Sequence, residues 1–142
     1  MYEPIPATVL LVDDDDVTHE GVQRSFRRHE VPCRTVTAGS GLEALDILQG
    51  RHADKRLDTP VIVLLDINMP GMDGFQFLET VRADARLSRT VVFILSTSGR
   101  DQDRMRAYDD HVAGYMVKSS LGPQYAHLAE FIRKYAHTQQ LP

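Results

Sequence analysis

A doubly wound α/β domain, with a parallel sheet covered by helices on both faces, is the architecture this chain's pattern points to. Three observations carry it. Five short apolar runs punctuate the 142 residues: Thr8–Val12, Cys33–Ala38, Val61–Leu65, Val91–Leu95 and Gly114–Val117. Three of these are nearly continuous aliphatic or β-branched residues without alternation, as expected of strands buried on both faces. Between the runs lie segments with helical spacing and N-terminal start signals, so that strand and helix alternate along the chain.

The elements follow in order. After Thr8–Val12, Asp16 is placed to cap a helix running to about His29, with Val22 and Phe26 four apart on its inner face. After Cys33–Ala38, Ser40 and Glu43 have the spacing of a capping box ahead of Leu42, Leu45 and Leu48. The stretch from Gln49 to Pro60 is polar with three basic residues, and is expected to be a solvated surface loop rather than a basic binding patch. Val61–Leu65 follows, and Asp73 with Gln76 opens a helix carrying Phe75, Leu78 and Val81. After Val91–Leu95, Ser98 with Asp101 starts a fourth helix toward Tyr108. Gly114–Val117 precedes a last helix with Tyr125, Leu128, Ile132 and Tyr135 on one stripe, and the tail HTQQLP is expected to be a loose end or a small oligomer contact.

Composition narrows the function classes. With 42% hydrophobic and 25% charged residues the chain is an ordinary globular one, long enough to bury a core without staples. The net charge of −4 and the lack of a basic block argue against nucleic-acid binding. Cys33 is the only cysteine, so neither an intramolecular disulfide nor a cysteine-based zinc site is expected. No basic segment precedes the first apolar run, and Asp13 ends that run after five residues. Neither a signal peptide nor a membrane span is therefore expected, and a cytoplasmic protein is. The six histidines form no ligand-spaced pair, and Met69, Met72, Met105 and Met116 are expected to pack, as are Phe26, Phe75 and Phe77.

In such a sheet, ligands bind beyond the carboxyl ends of the strands. There the sequence places Asp13-Asp14, Asp66, Ser96-Thr97 and Lys118. Three carboxylates crowded together repel, by roughly 4 kcal/mol for a pair about 4 Å apart at an effective dielectric near 20. A hard divalent cation such as Mg²⁺, taking carboxylate and phosphate oxygens, compensates that repulsion. One carboxylate can then act as nucleophile toward a phosphoryl group, with the hydroxyl and the ammonium binding its oxygens.

The segments VLLVDDDD, VIVLLDINMPGMDGF, VVFILSTS and VAGYMVK, in this order, resemble the receiver domain of two-component response regulators. The resemblance covers about Thr8 to Tyr135, and LLDINMPGMDG is its most specific motif. It implies a flavodoxin-like five-stranded parallel sheet of order 2-1-3-4-5 with five helices, forming a single domain over 1–142 with no fused output domain. It further implies that Asp66 accepts a phosphoryl group from a histidine kinase or a small donor such as acetyl phosphate. Asp14 is then a direct Mg²⁺ ligand, Asp13 a ligand through water, and the Asn68 backbone carbonyl and Asp66 complete the protein ligands. Ser96 corresponds to the switch hydroxyl, Lys118 to the phosphate-binding lysine and Tyr115 to the switch aromatic. Asn68, Thr97 and Ser98 occupy positions that tune phosphorylation and dephosphorylation. The implied output is a population shift on the face formed by the fourth helix, fifth strand and fifth helix, which makes the chain a signalling phosphoacceptor rather than an enzyme that releases a product. Pro70 and Gly71 suit a tight turn beside this site.

Where the family usually has Lys-Pro, this chain has Lys118-Ser119, which removes the usual reason for a cis peptide. The wording AYDDHVAGYMVKS is similar to single-domain regulators that accompany phytochrome-type histidine kinases. Partners are then such a kinase and a downstream protein, a phosphotransfer partner or a second copy in a homodimer, with neither DNA nor membrane. Two alternatives stand beside this. Asp14-x-Asp16-x-Thr18 also fits haloacid-dehalogenase-like phosphatases with Asp14 as nucleophile, although the chain has no room for a usual cap domain. The other is an interaction module that keeps the fold without phosphorylation.

Overall fold

The computed structural model describes residues 7–58 and 60–142. The elements run β1 (Thr8–Val12), α1 (Asp16–Arg28), β2 (Arg34–Ala38), α2 (Gly41–Leu48), β3 (Val61–Leu65), α3 (Gly74–Ala83), β4 (Val91–Ser96), α4 (Asp101–Asp109), β5 (Gly114–Val117) and α5 (Ala126–Thr138). Two 3-10 turns, Lys118–Ser120 and Pro123–Tyr125, join β5 to α5. All strand pairs are parallel and the order is β2-β1-β3-β4-β5.

The unbroken apolar runs have a direct physical reason. Successive side chains of a strand point to opposite faces, so each run feeds two cores. Leu10, Val12, Val63, Leu65 and Ile94 pack with Leu45, Phe77, Leu78 and Val81 from α2 and α3. Val9, Leu11, Ile62, Leu64, Phe93 and Leu95 pack with Val22, Phe26, Leu128 and Ile132 from α1 and α5. Full burial of each such side chain stabilises the fold by roughly 1.5–3 kcal/mol, so neither face can be exposed cheaply.

Several local expectations are corrected. Asp15, not Asp16, caps α1: its Oδ1 accepts the Val17 N–H at 2.9 Å, while Asp16 is the first helical residue with a fully exposed side chain. At α2, Ser40 Oγ accepts the Glu43 N–H, but the Glu43 carboxylate turns to the Gly39 N–H and leaves the box half closed. Leu42 lies outside the buried stripe and is 62% exposed. The Asp73–Gln76 capping box is complete in both directions. At α4, Arg100 holds the cap position without a side-chain bond, and Ser98 Oγ instead donates to Asp103 Oδ2 at 2.6 Å. Tyr125 precedes α5 in a left-handed conformation, φ 59°, so that helix begins at Ala126. Met105 is exposed, whereas Met69, Phe26, Phe75 and Phe77 are buried as expected. Cys33 falls just before β2, and burial pushes its thiol up to about 11, too high for easy reactivity.

The connection after α2 is more than a solvated loop. His52 Nε2 lies 3.1 Å from Glu43 Oε2, and Lys55 Nζ donates to the Thr37 carbonyl at 2.6 Å, which pins the segment over the β2 edge. The C-terminal stretch docks too, with Leu141 against the core that α1 and α5 cover. Among the described residues no helix is long and apolar enough to cross a membrane.

Candidate functional site

The sheet ladder itself delivers the acidic residues. The Asp13 N–H donates to the Ala38 carbonyl and the Asp66 N–H to the Val12 carbonyl, so both residues stand one step beyond paired strand ends. Asp13, Asp14 and Asp66 each offer a carboxylate oxygen, all within 4.8 Å of one another. Asp13 and Asp66 are buried and Asp14 is exposed. The register of β1 against β3 thus creates the crowding, since Val12 lies opposite Leu65.

Lys118 enters from the end of β5. Its Nζ donates to Asp13 Oδ2 at 2.8 Å, lies 3.9 Å from Asp66 Oδ2, and reaches Thr18 Oγ1 at 3.5 Å. The other Asp13 oxygen accepts the Asp15 N–H at 2.9 Å. Asp66 Oδ1 accepts the Asn68 N–H at 3.1 Å. Burial raises the Asp66 carboxyl pKa from its ordinary value; the Asn68 amide and Lys118 oppose this, while the charges of Asp13 and Asp14 add to it. Burial works to lower the Lys118 pKa, but its hydrogen bond to Asp13 and the charges of Asp13 and Asp66 outweigh it and hold the ammonium above its usual value. The result is one fixed cation facing three acidic groups, a set suited to a further hard cation and to an anionic phosphoryl group.

A polar relay leaves the site along β4. Ser96 is fully buried; its Oγ accepts the Ser98 N–H at 3.1 Å and stands 3.5 Å from Asn68 Nδ2. The Tyr115 hydroxyl donates to the Ser98 carbonyl at 2.8 Å from β5. Thr97 is exposed, one residue beyond the end of β4. The structure therefore brings together Asp13, Asp14, Asp66, Asn68, Ser96 and Lys118, links Ser98 and Tyr115 to them, and turns Thr97 outward.

Three participants were not read from the sequence. Thr18 meets Lys118, and its signal was a polar residue in the first turn of α1 on the side facing the strand ends. Asp103 holds Ser98 from α4, which no local spacing discloses. Gly74 approaches the back of the acceptor so closely that a Cβ there would sit 2.5 Å from the Asp66 carbonyl oxygen. The rival D-x-D-x-T pattern comes apart, because the Asp16 side chain faces solvent beside His19.

Comparisons with known proteins agree with this fold. The response regulator receiver domain family matches residues 9–130. Response regulator Rcp1 of Synechocystis is 30% identical over 114 residues, covering 80% of this chain and 78% of that protein; its Mn²⁺-bound crystal structure superposes with a TM-score of 0.81 at 27% identity over 96% of this chain and 99% of that one. The phosphorylated cyanobacterial phytochrome response regulator RcpA gives a TM-score of 0.83 at 30% identity, covering 97% of this chain and 99% of that one. RPA3017, a response regulator in red light signalling of R. palustris, gives 0.79 at 34% identity with the same coverage. Strand order, the acidic cluster and sequence agree, and the chain belongs to the response regulator receiver domain family.

Proposed function

We propose that this chain is a two-component phosphoacceptor in which Asp66 receives a phosphoryl group from the phosphohistidine of a sensor kinase. The observation that carries the reading is the convergence of Asp13, Asp14 and Lys118 on Asp66. An Asp66 carboxylate oxygen attacks phosphorus, the P–N bond to the kinase imidazole breaks, and its electron pair returns to the nitrogen, which takes up a proton. An acyl phosphate on Asp66 remains. Asp13, Asp14, Asp66 and the Asn68 carbonyl would hold Mg²⁺, with Asp13 acting through water; the cation would neutralise the carboxylates and stabilise charge on the transferring group. Lys118 is held protonated by its acidic neighbours and is within reach of a phosphoryl oxygen on Asp66.

The same contacts suggest how the signal leaves. A phosphoryl oxygen on Asp66 accepts from the Ser96 hydroxyl, and drawing that hydroxyl toward Asp66 pulls on the Ser98 amide, which donates to the same Oγ. Because the Ser98 carbonyl is held by Tyr115 and its hydroxyl by Asp103, displacement of that segment is felt on β5 and α4 together. The output is a shifted population of the α4–β5–α5 face. Asn68 and Ser98 tune the phosphoryl lifetime through Ser96, and Thr97 does so from the rim. The likeness to RcpA and to the red-light regulator RPA3017 supports a phytochrome-type histidine kinase as partner and a cytoplasmic setting. Downstream, a target protein, a phosphotransfer protein or a second copy receives the signal.

Intact mass after incubation with acetyl phosphate and Mg²⁺ tests this. A Mg²⁺-dependent phosphoryl adduct on the wild type, absent in Asp66→Asn and reduced in Asp14→Asn, is expected. An adduct or turnover that survives Asp66→Asn but needs Asp14 would overturn it in favour of the phosphatase chemistry, and no adduct from either acetyl phosphate or a partner kinase would leave a binding module.

A further inference from the structure

At the pole opposite the acidic site, a cavity of about 330 Å³ opens between the end of α2, the start of β3 and the turn joining α3 to β4. Its volume falls at the lower end of small-ligand sites. The floor is apolar: Leu48, Leu57 and Leu87 pack against the α2–α3 core from one side and face the cavity with the other. Three arginines, Arg56, Arg86 and Arg89, also line it, Pro142 completes the wall, and none of the lining side chains is acidic. Among the described residues no carboxylate lies within ion-pair distance of any of these guanidiniums. Asp84, two residues before Arg86, spends its carboxylate on the Arg86 backbone amide.

An apolar floor with unpaired guanidiniums fits an occupant that carries an apolar body and one anionic head. An acetate-sized anion would leave the floor wet, and a neutral hydrocarbon would leave the cations without a partner. We propose that this cavity binds a small free carboxylate with a medium-length apolar chain. Its chain lies over Leu48, Leu57 and Leu87, and its carboxylate accepts hydrogen bonds from Arg86 and Arg89, whose guanidiniums donate in fork geometry. The site is independent of phosphoryl chemistry at Asp66. It is coupled to the rest of the fold through Arg82, which donates to the Ser88 and Thr90 carbonyls beside the cavity and to the Asp110 and His111 carbonyls after α4.

Decanoate, decanol and acetate titrated into the full chain, followed by calorimetry and by amide shifts, test the proposal. Decanoate is expected to saturate with shifts confined to the neighbourhood of Leu48, Leu57 and residues 86–90, with decanol at least fivefold weaker and acetate without a saturable response. Arg86→Gln with Arg89→Gln is expected to weaken decanoate at least fivefold at an unchanged melting temperature, and the lysine pair at these positions to retain most of the affinity. Absence of saturation by decanoate, equal affinity for decanol, or full decanoate affinity in the glutamine pair would each overturn it.

Discussion

Lys118 Nζ sits 2.8 Å from one carboxylate, Asp13, and 3.9 Å from another, Asp66, so the resting site is closed by a cation that the chain supplies itself. Asp13 has an almost fully buried side chain, and its pairing with Lys118 is what makes that burial tolerable. Removing one partner of such a pair leaves an uncompensated buried charge. Lys118→Met is expected to cost about 3 kcal/mol in urea unfolding, part of it restored by Mg²⁺. The Lys118 pKa is raised in the folded state. Its contribution is therefore complete below the unfolded lysine value and is lost as pH rises through the folded one, so the gap between wild type and Lys118→Met should close only in strong alkali.

Asp66 runs the other way. Burial, with the charges of Asp13 and Asp14, raises its pKa, so the folded state binds this proton more tightly than the unfolded chain does. Stability is consequently lost as pH rises from the ordinary carboxylate range through the folded value. Asp66→Asn is expected to be more stable than wild type at pH 7, with the difference fading as pH falls through the ordinary carboxylate range. A melting series across that range in metal-free buffer checks both sign and window.

Gly74 and Gly71 lie close in sequence but differ in purpose. A Cβ at Gly74 would fall 2.4 Å from Ile67 Cα and 2.5 Å from the Asp66 carbonyl oxygen, both backbone atoms. Gly74→Ala is expected to cost roughly 3 kcal/mol and to slow phosphoryl uptake, because the acceptor's own backbone must move. Gly71 has φ 74° with open space around it. Gly71→Ala is expected to cost only about 1 kcal/mol through backbone strain and to leave uptake intact. Unfolding curves and the acetyl phosphate reaction on both variants separate the two.

The Tyr115 hydroxyl ties β5 to the Ser98 carbonyl at 2.8 Å. Tyr115→Phe is expected to cost about 1 kcal/mol and to speed amide exchange over residues 98–104, while phosphoryl uptake stays within twofold. Hydrogen exchange with and without the substitution reads this directly. An unchanged exchange pattern would mean that the Ser98–Asp103 bond alone holds the segment.

What the sequence determined by itself were the features set by short-range physics. Strands Thr8–Val12, Val61–Leu65 and Gly114–Val117 were legible to the residue, since an apolar run ended by a charge or flanked by turn residues marks a strand without reference to its neighbours, although Gly114–Val117 lies at the sheet edge and is only half-buried. The Asp73–Gln76 box was legible because both of its bonds close within four residues. The LLDINMPGMDG motif likewise disclosed the family, and with it the strand order. Tertiary structure decided the rest. Which aspartate caps α1 depends on Asp13 being drawn to Lys118, 105 residues away, which leaves Asp15 at the helix entrance. Leu42 and Met105 have good apolar character but are exposed, since no element packs over them. Tyr125 leaves the helical stripe for a left-handed turn in which its carbonyl accepts the Ser25 hydroxyl of α1. Gly74 is required by a backbone contact that only the finished turn creates. Side-chain periodicity is local, but exposure, ion pairing and close backbone approach depend on what the chain brings alongside from far away.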